Sequence, residues 1–167
     1  MPGITPCLWF DGRAQEAAEF YTGIFPNSRI DRIDRSAADN PSVKEGEVLT
    51  VSFTLDGSRF IGLNGGPDFQ FSEAISFEIE CADQAEVDRY WELLAAGGGA
   101  PGPCGWLKDR FGLSWQVVPK QLNELLNSPD RDGARRAMDA MLQMGKIDVE
   151  QLRAAFEDRT AVGARSR

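Results

Sequence analysis

With 167 residues, 42% of them hydrophobic, the chain has room for one sizeable core and a small appendage. Its net charge of −8 argues against the basic surface that nucleic acid requires, and no apolar run approaches the roughly 18 residues of a membrane span. It contains no histidine, which excludes Ser-His-Asp and Cys-His catalysis, imidazole-based zinc sites and the usual proton shuttle near neutral pH. Acid–base chemistry must then rest on carboxylates, Lys, Tyr or Cys. The three cysteines, Cys7, Cys81 and Cys104, form no close pair, and no basic start leads into an apolar stretch. No disulfide framework and no signal peptide are expected, and the expected location is the cytoplasm.

In chain order, residues 4–10 form a short apolar run, expected as a strand and broken at Asp11-Gly12. Ala14, Ala17, Ala18 and Tyr21 fall at i, i+3, i+4 and i+7, one face of a helix. Gly23 is expected to stop that helix, with Phe25-Pro26-Asn27-Ser28 as the turn. Residues 29–35 fit neither period well and are assigned to a strand; residues 37–46 are a loop. Over residues 47–55, Leu49, Val51, Phe53 and Leu55 alternate with polar neighbours and Val48. Asp56-Gly57 is a strong hairpin signal, and residues 58–64 return as the partner strand.

The order then restarts. Ile75, Phe77, Ile79 and Cys81 alternate with Ser76, Glu78 and Glu80 as a half-buried strand. Asp83 with Glu86 reads as a capping box, Val87, Tyr90, Trp91 and Leu94 as the helical stripe, and Gly97-Gly98-Gly99 as its end. Residues 105–119 read as two short strands around an Asp109–Gly112 turn. There Leu113, Trp115 and Val117 face one way, Ser114 and Gln116 the other. The fold class is therefore α+β: a weak repeat of two βαβββ modules, about 4–66 and 73–119, within a domain of residues 1–119. A helical segment, 120–157, follows, with periodic stretches at Gln121, at Ala134–Met141 and after Asp148; residues 158–167 are expected to be a flexible tail.

Several stretches together resemble the PhnB-like branch of the vicinal oxygen chelate (glyoxalase and bleomycin-resistance) superfamily, members of which are often labelled demethylubiquinone methyltransferases. They are Phe20-Tyr21, Leu63-Asn64-Gly65-Gly66-Pro67, Asp83-Gln84 with Tyr90-Trp91, Gly105-Trp106-Leu107-Lys108-Asp109, Gly112-Leu113-Ser114-Trp115-Gln116, and residues 140–148 of the helical segment. The resemblance implies modules curving into a cup, a homodimer, and a divalent metal held by His, Glu or Gln. Here the corresponding positions fall close to Pro6, Ser76 and Gln116, so the metal site is expected to be lost and no cofactor is expected. The methyltransferase label finds little support, because no Gly-rich turn leads from a strand into a helix.

The expected ligand pocket comprises Asn64, Ser76, Glu78, Trp106 and Gln116, with Glu78 the candidate general base or counter-ion. Against these stand plainer roles: a solvated face for Glu78, cross-strand pairing for Gln116, packing for Trp106 and loop shaping for Asn64. Trp115 is expected in the core, Asp109 capping its turn, and Cys81 and Cys104 as packing residues. The first functional expectation is a metal-free protein that binds or sequesters a small organic ligand, cationic ones included. A divergent enzyme (lyase, transferase or methyltransferase-like) using Glu78 and Gln116 is the second. An interaction module acting through the helical segment is the third.

Overall fold

The computed structural model describes residues 3–158; of the expected tail at 158–167, all but Asp158 lies outside the described residues. The chain divides into two compact units, residues 1–71 and 72–167. The first contains β1 (Cys7–Phe10), α1 (Ala14–Ile24), β2 (Arg29–Arg35), β3 (Val48–Leu55) and β4 (Ser58–Asn64). Its sheet has the order β1-β4-β3-β2, with β1 parallel to β4 and the other pairs antiparallel. Alternation buries Leu8, Phe10, Val51, Phe53, Leu55 and Phe60 on the face that meets the buried Ala14, Ala17, Ala18 and Tyr21 of α1. Asp56 and Gly57, at φ 42° and 83°, close the β3–β4 hairpin with the two positive φ values that suit the twist of its strands.

Two local expectations change. Gly23 does not stop α1, which runs on to Ile24. The break comes at Phe25, extended at φ −90° and ψ 138°, because Pro26 disfavours helical geometry in the residue before it. β2 lacks a clear period because it is an edge strand with two register shifts and mostly exposed side chains. Its ion pairs, Arg29–Asp31 at 2.8 Å and Arg32–Asp34 at 2.9 Å, put charge on an edge that could otherwise recruit another strand.

The second unit repeats the first. β5 (Ser76–Cys81), α2 (Gln84–Ala95), β6 (Ala100–Pro101), β7 (Trp106–Lys108) and β8 (Ser114–Pro119) form a sheet of order β5-β8-β7-β6, again with the outer pair β5 and β8 parallel. Cys81, Leu107, Trp115 and Val117 are buried on the side of Val87, Tyr90 and Leu94 of α2. Asp83 caps α2 by accepting from Glu86 N at 3.0 Å, while Glu86 accepts from Ala82 N at 2.7 Å.

The helices α3 (Lys120–Leu126), α4 (Arg131–Met141) and α5 (Val149–Glu157) belong to the same unit. Val118, Leu122, Ile147 and Leu152 form a buried cluster, joined by Leu125, Leu126, Met141 and Met144. Backbone bonds fix the docking: Cys104 N donates to Met144 O at 2.8 Å and Gly105 N to Gly145 O at 2.7 Å. The Gln84 amide donates to Ile147 O at 3.0 Å and accepts from Val149 N at 2.8 Å.

Candidate functional site

The parallel β5–β8 register sets Ser76 opposite Ser114 and Glu78 opposite Gln116, and the β7–β8 register sets Trp106 opposite Gln116 and Lys108 opposite Ser114. Period-two alternation therefore gathers Ser76, Glu78, Trp106, Lys108, Ser114 and Gln116 on the sheet face opposite α2. Four of the expected pocket residues thus share one face. Gln116 donates from Nε2 to Ser76 Oγ at 2.9 Å, and Glu78 beside it is exposed.

A cavity of about 240 Å³ opens on this face, lined by Trp106, Leu107, Lys108, Ser114, Glu73 and the 100–103 turn with its two prolines. Lys108 Nζ lies 2.6 Å from Glu73 Oε1. Glu73 ionises below its ordinary range, first because Lys108 hydrogen-bonds to it, then through its own backbone and the Lys108 charge. Ser114 is 0% exposed, and its hydroxyl has no hydrogen-bond partner. Buried hydroxyls are almost always bonded, so this one stands out.

Asn64, expected in the pocket, lies elsewhere. It is 4% exposed on the helix side of the first sheet, where Oδ1 accepts from Ala14 N at 2.8 Å and Nδ2 donates to Val48 O at 2.9 Å. It supplies the cap that Arg13 does not, since the Arg13 side chain makes no cap bond to α1. The glycines after it are structural as well. Trp9 Nε1 donates to Gly66 O at 2.8 Å, and a Cβ on Gly65 would stand 2.3 Å from the Trp9 ring. Asp109 is 3% exposed and accepts from Phe111 N, Leu113 N and Trp115 Nε1, so its turn and the Trp115 indole are one unit.

The donor set does not suit a divalent metal. Ser76 and Gln116 are neutral and bonded to each other, and Pro6 has no side-chain donor. Among the described residues no three His, Cys, Asp or Glu groups stand together.

Residues 2–118 match the family model described as 3-demethylubiquinone-9 3-methyltransferase. The chain belongs to that family. A putative 3-demethylubiquinone-9 3-methyltransferase, PhnB protein, from Bacillus cereus shares 35% identity, with 71% of this chain and 99% of that one covered and a TM-score of 0.62. Protein PA1353 from Pseudomonas aeruginosa has the same fold at 19% identity, 71% and 98% coverage and a TM-score of 0.55. The fosfomycin resistance protein FosX from Mesorhizobium loti aligns at 15% identity over 71% and 91%, with a TM-score of 0.47. Comparison with curated proteins returns no match. The chain is a PhnB-like member of that family. The family match stops at residue 118, so α3–α5, expected to share the resemblance through residues 140–148, lie beyond it.

Within this PhnB-like chain, sequence reasoning missed Lys108, Glu73 and the importance of Ser114. Lys108 and Trp106 stand two apart on β7 with buried Leu107 between them, a signal of a shared face. Glu73 carries no such signal, because Lys108 is 35 positions away and only folding brings the two together.

Proposed function

We propose that this PhnB-like protein binds a small organic molecule in the cavity of its second sheet, without a metal. The observation that carries the reading is an apolar hollow of about 240 Å³ that has Trp106 and the charged Lys108 in its lining. Ligand pockets are concave, mostly apolar and equipped with a few convergent polar groups, and typically measure about 300–1,000 Å³. This hollow falls just below that range and suits a compact, single-ring molecule. Trp106 supplies a flat surface for it, and Lys108 a hydrogen-bond donor that fixes its orientation.

The family name refers to methyl transfer. A single glycine, Gly12, stands between β1 and α1, and none stands between β5 and α2. Neither turn carries the glycine-rich fingerprint of a common methyl-donor site, so binding rather than methyl transfer is the function proposed.

A thermal-shift screen of single-ring compounds tests this. Ligands should raise the unfolding temperature of the wild-type chain, and Trp106→Ala should abolish the shift. Equal shifts in wild type and Trp106→Ala would place the site elsewhere.

A further inference from the structure

We infer that the cavity takes a small aromatic monocarboxylate and that the Glu73 side chain holds the ligand carboxylate's place until it arrives. This rests on the proposed binding site and adds the class of its ligand. The donor comes first. Lys108 Nζ offers three hydrogens and a positive charge, and its backbone is held in β7 beside Ser114 of β8. One charged donor beside an apolar hollow matches a carboxylate.

The structure supplies an example of the group that fits. Glu73 places a carboxylate oxygen 2.6 Å from Lys108 Nζ. Yet Glu73 stands before β5, outside the sheet, and its side chain is 65% exposed against 39% for Lys108. Exposed ion pairs contribute little to stability, so Glu73 can leave at small cost. The Lys108 main chain stays in place, paired on both sides to Ala100 of β6 and Ser114 of β8.

The rest of the lining sets the body of the ligand. Trp106, Pro101 and Pro103 are apolar and suit a ring. Among the described residues that line the cavity, Lys108 is the single cation. A phosphate or phosphonate dianion is better served by several donors or by a bidentate Arg, and none is here. The net charge of −8 also disfavours a multiply charged anion at long range. One negative charge on a flat body is the class that remains.

Isothermal titration of the full chain near pH 7 with benzoate and its neutral counterpart benzamide tests the inference, using wild type, Glu73→Gln, Lys108→Gln and Trp106→Ala. Benzoate should bind wild type about tenfold more tightly than benzamide, the difference expected of a charge-assisted bond. Glu73→Gln should tighten benzoate several-fold and leave benzamide unchanged, since it removes the internal competitor alone. Lys108→Gln should erase the preference for benzoate. Unchanged or weaker benzoate binding in Glu73→Gln overturns the place-holding role. Equal binding of both probes to wild type, lost in Trp106→Ala, overturns the carboxylate class while leaving the binding site standing. Failure of both probes to bind wild type and Glu73→Gln overturns the binding site and this inference together.

Discussion

Asn64 joins two backbone groups, the first N–H of α1 and the carbonyl of Val48. Replacing it with Ala removes a helix cap and leaves the buried Ala14 N–H without that partner. Asn64→Ala should therefore lower stability by about 1–2 kcal/mol, measured by urea unfolding, and leave ligand binding unchanged. Cys81 is likewise defined by its surroundings. Burial first, then the Glu86 and Asp83 charges, push its thiol up to about 12. The thiolate is the reactive form, so Cys81 should resist thiol reagents near pH 8 in the folded protein and react on unfolding. Its contrast is exposed Cys7, which should be modified in the folded chain, though slowly, because partial burial raises its pKa too. Digestion and mass mapping after brief labelling separates the two.

Among the elements, the β7–β8 hairpin carries both packing and site. Its inner side is held by Asp109, whose carboxylate accepts from the turn and from Trp115 Nε1 at 2.8 Å. Its outer side carries Trp106, Lys108, Ser114 and Gln116. Alternation along a strand lets two unlike surfaces share one short hairpin. The α2 helix is tied to the α4–α5 connection by Lys146 and Asp88, 2.6 Å apart. Hydrogen bonds from Lys146 and then Gln84 hold the Asp88 carboxyl below its ordinary value of 3.8. A carboxylate whose pKa is depressed on folding stabilises the fold above its unfolded value, and that contribution is lost as pH falls through the folded one. Asp88→Asn should therefore destabilise the chain at pH 6 and have little effect near pH 3. At this exposure the difference should stay within about 1 kcal/mol, read from denaturation midpoints at the two pH values.

At the scale of the molecule, the second unit is the first with three helices added. Those helices lie outside the family match, yet they cover Val118 and accept hydrogen bonds from Cys104 N and Gly105 N through residues 144 and 145. Ending the chain after Pro119 would expose Val118 and strip two backbone N–H groups of their partners. The truncated chain should show a large loss of stability and a tendency to aggregate, seen by thermal melting and light scattering, rather than behave as a self-sufficient domain. Of the segment's apolar residues, Leu122, Ile147 and Leu152 are engaged within its own unit, while Met138 and Leu142 are exposed. None of the helices among the described residues is long and apolar enough to cross a membrane.

The sequence by itself determined the elements and their repeat. Asp56-Gly57, Asp83 with Glu86, and the alternations in β3, β5 and β8 are local signals, set by φ preferences, capping chemistry and period. It also named four residues of the site face, because period two separates the faces of a strand before its partners are known. What lay beyond it depended on distant pairing. Asn64 lies on the same strand face as Phe60 and Gly62, turned towards α1, and only the fold shows that its amide meets the first N–H of that helix. Ser114 looked like any polar strand residue, and the tertiary structure alone left its hydroxyl buried without a partner. Glu73 and Lys108 met for the same reason: the β5–β8–β7 register, fixed by burial of the opposite face against α2, decides which side chains on the open face become neighbours.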